Sequence, residues 1–202
     1  MVARVRKRPA ATPATAERVR KAARYEKSRP PLTTSRPELL VGGSDAEFRH
    51  LVHGLFGFLA RHERIRAGHA RVIGLAGIEY TVLISIAHLG DDGDVSVKRV
   101  AEHLHLSGAF ITSTVRRLVQ LGLVIKKTST EDRRRVMLAV SPKGEGLLER
   151  LAPTQRQVND VEFGGLSADE FRVLVRLVDR LIDSGDAAVA LQNYLQSQAG
   201  AR

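Results

Sequence analysis

Five consecutive residues, Glu131, Asp132, Arg133, Arg134 and Arg135, set three guanidinium groups beside two carboxylates. A guanidinium is a planar, permanently charged fork that suits phosphate oxygens, and it also enters the narrow, strongly negative minor groove of DNA without needing a unique base pattern. Taken alone, such a run is an ordinary solvated turn, so its surroundings decide its meaning. A short distance upstream, the segment after Ser107 carries Ile111, Val115, Leu118 and Val119 on one side of a helical wheel. The other side shows Ala109, Phe110, Thr112, Ser113, Arg116, Arg117 and Gln120, a polar and basic face suited to base edges and phosphates. A third group, His50, His53, His62, Arg64, Arg66, His69 and Tyr80, places hydrogen-bonding and cationic side chains among apolar neighbours. Such a mixture suits a small carboxylate, although each residue taken singly fits the surface or a satisfied core equally well.

These groups need positioning elements, and the periodicity supplies them. Ser44–Glu47 reads as a capping box, and Phe48, Leu51, Val52, Leu55, Phe56 and Leu59 follow at helical spacing to about Arg66. Residues 68–77 read as a break, and Ile78–Leu89 as a helix apolar on most of its circumference. Gly90–Gly93 is a turn, and Val95 a possible short strand. Ser96 caps a short helix with Val97, Val100, Ala101 and Leu104 on one face. Ser107 caps the next helix, which ends at Gly122. Two short helices joined by a tight turn, the second polar and basic, read as a helix-turn-helix. Two strands, 124–128 and 136–140, then flank the Arg-rich tip as a β-hairpin wing. Ser141-Pro142 starts a helix to about Val161, and Ser167–Glu170 is a second capping box ahead of Phe171, Leu174, Val175, Leu177, Val178 and Leu181.

The charge agrees with this layout. The 202 residues carry a net +10, and the excess is local: 11 Lys/Arg against 3 Glu in residues 1–44, and 9 against 3 acids in residues 98–135. Localised basic charge is the footprint of a polyanion binder. Residues 1–44, Pro-, Arg- and Ala-rich with almost no large apolar side chain, read as a flexible basic arm. With no cysteine there is no thiolate metal site, disulfide or cysteine nucleophile. No glycine-rich phosphate loop, nucleophile elbow or paired catalytic carboxylates emerge, so an enzyme is not expected, nor a cofactor. No carboxylate-rich cluster accompanies His50 and His53, so no metal site is assigned. The longest apolar stretch, Val72–Leu89, contains Glu79 and His88 and falls short of the roughly 20 apolar residues of a spanning helix, so no membrane role is expected.

In this order of elements, the chain resembles the MarR family of bacterial transcription regulators over about residues 45–182. The resemblance lies in three segments: Leu104–Val124 (LHLSGAFITSTVRRLVQLGLV), Thr130–Gly144 (TEDRRRVMLAVSPKG) and Leu75–Leu83 (LAGIEYTVL). The second is similar to the family's wing signature, with Val140-Ser141 where the family has Leu-Thr. The resemblance implies a mainly α fold with a small β-hairpin wing: a winged helix-turn-helix at about 75–142, between dimerisation helices at about 45–66 and 142–198. It implies a cytoplasmic homodimeric repressor on double-stranded DNA, with half-sites about 10 base pairs apart. Arg134 would then enter the minor groove, Asp132 would orient it, and Arg133 and Arg135 would meet phosphates. Ser107, Phe110, Thr112, Ser113, Arg116 and Arg117 would face the major groove; Ser113 stands where the family often has Arg. A small aromatic acid or aromatic acyl-CoA would bind near His53, His62, Arg66, His69 and Tyr80. The alternative is a ligand-independent architectural protein that coats DNA through its arm.

Overall fold

The computed structural model describes residues 31–128 and 136–200. Six α-helices and one antiparallel hairpin follow in the order α1 (Ala46–Val72), α2 (Gly77–Asp91), α3 (Val97–Leu104), α4 (Gly108–Gln120), β1 (Val124–Thr128), β2 (Val136–Val140), α5 (Pro142–Glu162) and α6 (Ala168–Ala199). The chain divides into two compact units, residues 1–60 and 61–202, and α1 runs through the boundary.

In the first unit, α1 begins one residue after Asp45. The expected capping box is replaced by a different arrangement: Ser44 Oγ accepts from the Ala46 amide at 3.2 Å, and the buried Asp45 carboxylate accepts from the Thr33 amide and hydroxyl at 2.8 and 2.7 Å. Arg49 pairs with the same carboxylate. The Thr33 hydrogen bonds, before the Arg49 charge, hold the Asp45 carboxyl below its usual range. Leu51, Leu55, Phe56 and Leu59 stand exposed along this part of the helix.

In the second unit, α1 continues through Gly68 to Val72, where the sequence suggested a break. The helix ends instead at Val72, and Gly74, with φ of +72°, closes the turn after it, in which the Leu75 amide donates to Ala70 O at 2.9 Å. Burial of His69 and Ala70 holds the helical turn that Gly68 alone would weaken. The core then forms around α2, as its apolar circumference requires. Tyr80, Val82, Leu83 and Ile86 pack with Val100 of α3, with Ile111, Val115 and Leu118 of α4, and with Leu138 and Leu151. The helix-turn-helix, the hairpin base and the start of α5 thus share one core.

The hairpin pairs Val124 with Val140 and Thr128 with Val136. Val95 forms no strand of its own, but its carbonyl accepts from the Leu138 amide at 2.8 Å and ties the α2–α3 loop to the wing. At the wing base, Ser141 Oγ donates to Gly122 O at 2.6 Å and accepts from the Gly144 amide at 3.0 Å, while Lys143 Nζ donates to Leu121 O at 2.7 Å. One serine therefore caps α5 and satisfies a carbonyl at the end of α4. In α6, opened by the Ser167–Glu170 capping box, no residue is buried; Phe171, Leu174, Leu177, Val178 and Leu181 are all exposed.

A candidate nucleic-acid interface

The helix-turn-helix is built from local signals. Ser96 Oγ accepts from the Arg99 amide at 3.2 Å, opening α3. α3 ends at His105, whose φ of +50° makes it the one non-glycine residue with positive φ among those described. That left-handed turn lets the chain reverse within three residues and start α4, where Ser107 Oγ accepts from the Phe110 amide at 3.3 Å. Ile111, Val115 and Leu118 are buried, so Phe110, Thr112, Ser113, Arg116 and Arg117 are turned outward together.

The outward side chains differ in how they are held. The Thr112 hydroxyl donates to Gly108 O at 2.7 Å, and that of Ser113 to Phe110 O at 2.8 Å. Both hydroxyl oxygens thus present lone pairs outward as acceptors. Phe110 is 45% exposed, standing free as an apolar contact. Arg116 is exposed. Arg117 lies with its Nε 3.5 Å from Glu79 Oε1 on α2. Asp132, Arg133, Arg134 and Arg135 lie outside the described residues, as do residues 1–30 of the arm.

The residues singled out for a small ligand divide. His53 sits in the first unit, edge-on to Phe56 with ring centroids 5.9 Å apart. The other four gather in the second unit with two residues that no motif flagged. His62 Nδ1 lies 3.1 Å from Glu162 Oε1, and Tyr80 Oη accepts from Gln155 Nε2 at 2.8 Å. Arg66 pairs with Glu63. His69 is 5% exposed, its ring edge-on to Tyr80, and its Nε2 is buried with no hydrogen bond among the described residues. Burial, reinforced by His62 and opposed by Glu162, lowers the His69 pKa; burial raises that of Tyr80 against the pull of Arg66 and Gln155. The buried imidazole thus has one ring nitrogen without a hydrogen bond among the described residues, beside the Tyr80 ring.

Two cavities lie elsewhere in this unit. One of about 730 Å³ runs between α3, the start of α4 and Asp186 of α6, where Asp186 Oδ1 meets His105 Nε2 at 2.6 Å. The other, of about 460 Å³, lies under the hairpin beside Asp91, Lys127 and Glu145. Among the described residues no group of three or more acidic or histidine side chains is arranged to hold a metal.

Comparison with known proteins agrees with this geometry. Residues 73–135, from just before α2 to the residue preceding β2, match the MarR family model. The chain is 29% identical over 128 residues to the transcriptional repressor NicR of Pseudomonas putida, covering 63% of this chain and 79% of NicR. Among solved structures, Bordetella bronchiseptica BpsR, described for the regulation of its DNA binding by 6-hydroxynicotinic acid, aligns with a TM-score of 0.52 at 26% identity, over 65% of this chain and 91% of that one. A mutant MarR from E. coli complexed with operator DNA aligns with a TM-score of 0.54 at 18% identity, over 67% and 95%, and shares the fold. With its capped helix-turn-helix, its hairpin wing locked at Ser141, and this set of relatives, the chain is similar to the MarR family of winged-helix transcription regulators.

Proposed function

We propose that the chain is a cytoplasmic, homodimeric repressor that binds a pseudo-palindromic operator and leaves it when a small aromatic acid binds. The observation that carries the DNA-binding part is the outward face of α4, where Phe110, Thr112, Ser113, Arg116 and Arg117 stand exposed over a buried apolar face and beside the hairpin. This helix enters the major groove, with Ser107 at its N-terminus against a phosphate. The loop carrying Asp132, Arg133, Arg134 and Arg135 reaches the adjacent minor groove.

Homodimerisation follows from α6 and the first part of α1. A helix that buries none of its apolar side chains forgoes on the order of 1 kcal/mol or more for each, which a two-fold partner would recover. His62, Arg66, His69 and Tyr80 supply the ligand zone. The buried, unused His69 Nε2 supports a polar aromatic ligand, and the regulation of BpsR by 6-hydroxynicotinic acid places that compound first among those to test. The charge of residues 1–44 favours the alternative of an architectural protein.

The test is a fluorescence-anisotropy titration of the purified protein against its own upstream DNA and against scrambled DNA, with and without 6-hydroxynicotinic acid and other aromatic acids or their CoA thioesters. Preference for the upstream site, lost with one compound, is the expected result. Binding that ignores sequence and collapses when residues 1–44 are deleted would replace the repressor with the architectural reading.

A further inference from the structure

One charged pair joins α2 to the outward helix of the helix-turn-helix. Glu79, in the first turn of α2, uses Oε2 to accept from the Ala76 amide at 2.9 Å, closing the start of that helix. Its other oxygen, Oε1, points to Arg117 Nε at 3.5 Å. The Glu79 side chain is 18% exposed and hydrogen-bonded through Oε2, with Oε1 turned to the ion pair, while Arg117 is 58% exposed. The carboxylate therefore lies within ion-pair distance of Arg117 Nε, while most of the Arg117 side chain stays open to solvent.

A free arginine samples many rotamers and must lose that freedom when it contacts an operator. One already held along one edge loses less and presents its remaining donors in a set direction. The neighbour in sequence, Tyr80, belongs to the buried cluster with Gln155 and His69, so α2 joins that cluster to the outward face of α4 through a single residue step. We infer that Glu79 is a positioning residue for operator recognition, holding the Arg117 guanidinium so that its outer edge meets one operator acceptor. This inference rests on the reading of α4 as the helix that contacts DNA.

The test is a double-mutant cycle on operator binding in the full-length protein. Glu79→Gln keeps a carbonyl oxygen to accept from the Ala76 amide and removes the charge facing Arg117. It is expected to weaken binding to the upstream site about three- to tenfold, with an unchanged melting temperature. Arg117→Ala is expected to lose at least as much, and the double variant no more than Arg117→Ala alone. Arg117→Lys leaves the α2 start untouched and keeps the charge but not the fork. It is expected to weaken upstream binding, to leave the salt slope unchanged, and to be insensitive to Glu79→Gln. Unchanged affinity in Glu79→Gln, or losses that multiply in the double variant, would overturn the positioning role. If the wild-type protein shows no preference for its upstream site, the repressor reading has failed and not this pairing.

Discussion

Gly144, in the first turn of α5, sits where the wing closes against the end of α4. A Cβ built on it would lie 2.7 Å from Val140 Cγ1 and still closer to the Leu123 carbonyl oxygen, against an ordinary contact of 3.4 Å or more. That same carbonyl accepts from the Ser141 amide at 2.9 Å, so relieving the clash means moving the strand ends that anchor the hairpin. Overpacking of this kind costs about 1–3 kcal/mol, and loss of the strained hydrogen bond adds about 1 kcal/mol. Alanine in a helix returns up to about 1 kcal/mol relative to glycine. The net expectation for Gly144→Ala is a loss of about 1–3 kcal/mol, a fall in Tm of roughly 2–10 °C. Gly146, two residues further on, is the control: its Cβ would meet only the end of the Arg150 side chain at 3.8 Å. Gly146→Ala is expected to be neutral or stabilising by up to about 1 kcal/mol. Calorimetry or urea unfolding of the two variants measures the difference. A Gly144→Ala protein as stable as Gly146→Ala would refute the account of the wing base as a close-packed lock.

The other expectations concern assembly, titration and the wing. Leu177→Glu places a charge on the exposed apolar face of α6; an unpaired buried charge costs about 3–5 kcal/mol, so sedimentation should show monomer and operator binding should fall with it. A variant that stays dimeric would remove α6 from the interface. Because burial lowers the His69 pKa below its ordinary 6.5, the unfolded chain binds more protons than the folded one just below that pH. Stability should therefore decline as pH falls through 6.5, and His69→Phe should flatten that decline in thermal melts; an unaltered pH slope would show that His69 does not titrate in this way. Arg134→Ala is expected to cost about 1–3 kcal/mol of operator affinity with the dimer intact, and equal affinity would take the wing out of recognition.

How much was legible beforehand depended on distance along the chain. The helix-turn-helix, the hairpin and both later helices were readable because their signals are local. Ser96, Ser107, Ser141 and Ser167 each accept from an amide three residues on, and Gly122, with φ of +72°, closes α4. The wrong boundary lay at Gly68, where a residue that weakens helices in isolation is overruled by the burial of its neighbours His69 and Ala70. The Ser44–Glu47 box failed for a related reason: Asp45 is engaged by Thr33, twelve residues away.

Apolar periodicity and caps set which face of α4 is buried, and so which side chains are free to meet DNA. Charge and spacing likewise marked the Arg-rich hairpin loop. Those patterns are fixed within one or two helical turns, where each residue's neighbours are known from the sequence. The pairings that give the polar side chains their roles come from elsewhere in the chain. His62 meets Glu162 across 100 residues and Gln155 reaches Tyr80 across 75, while Glu79 and Arg117 meet only because α2 and α4 share one core. His53, grouped by sequence with His62 and His69, falls in a different unit from them. A carboxylate or an imidazole has no preferred partner until packing brings one within a few ångströms, so only the tertiary structure decided which of these groups are tied, which are buried and which remain free.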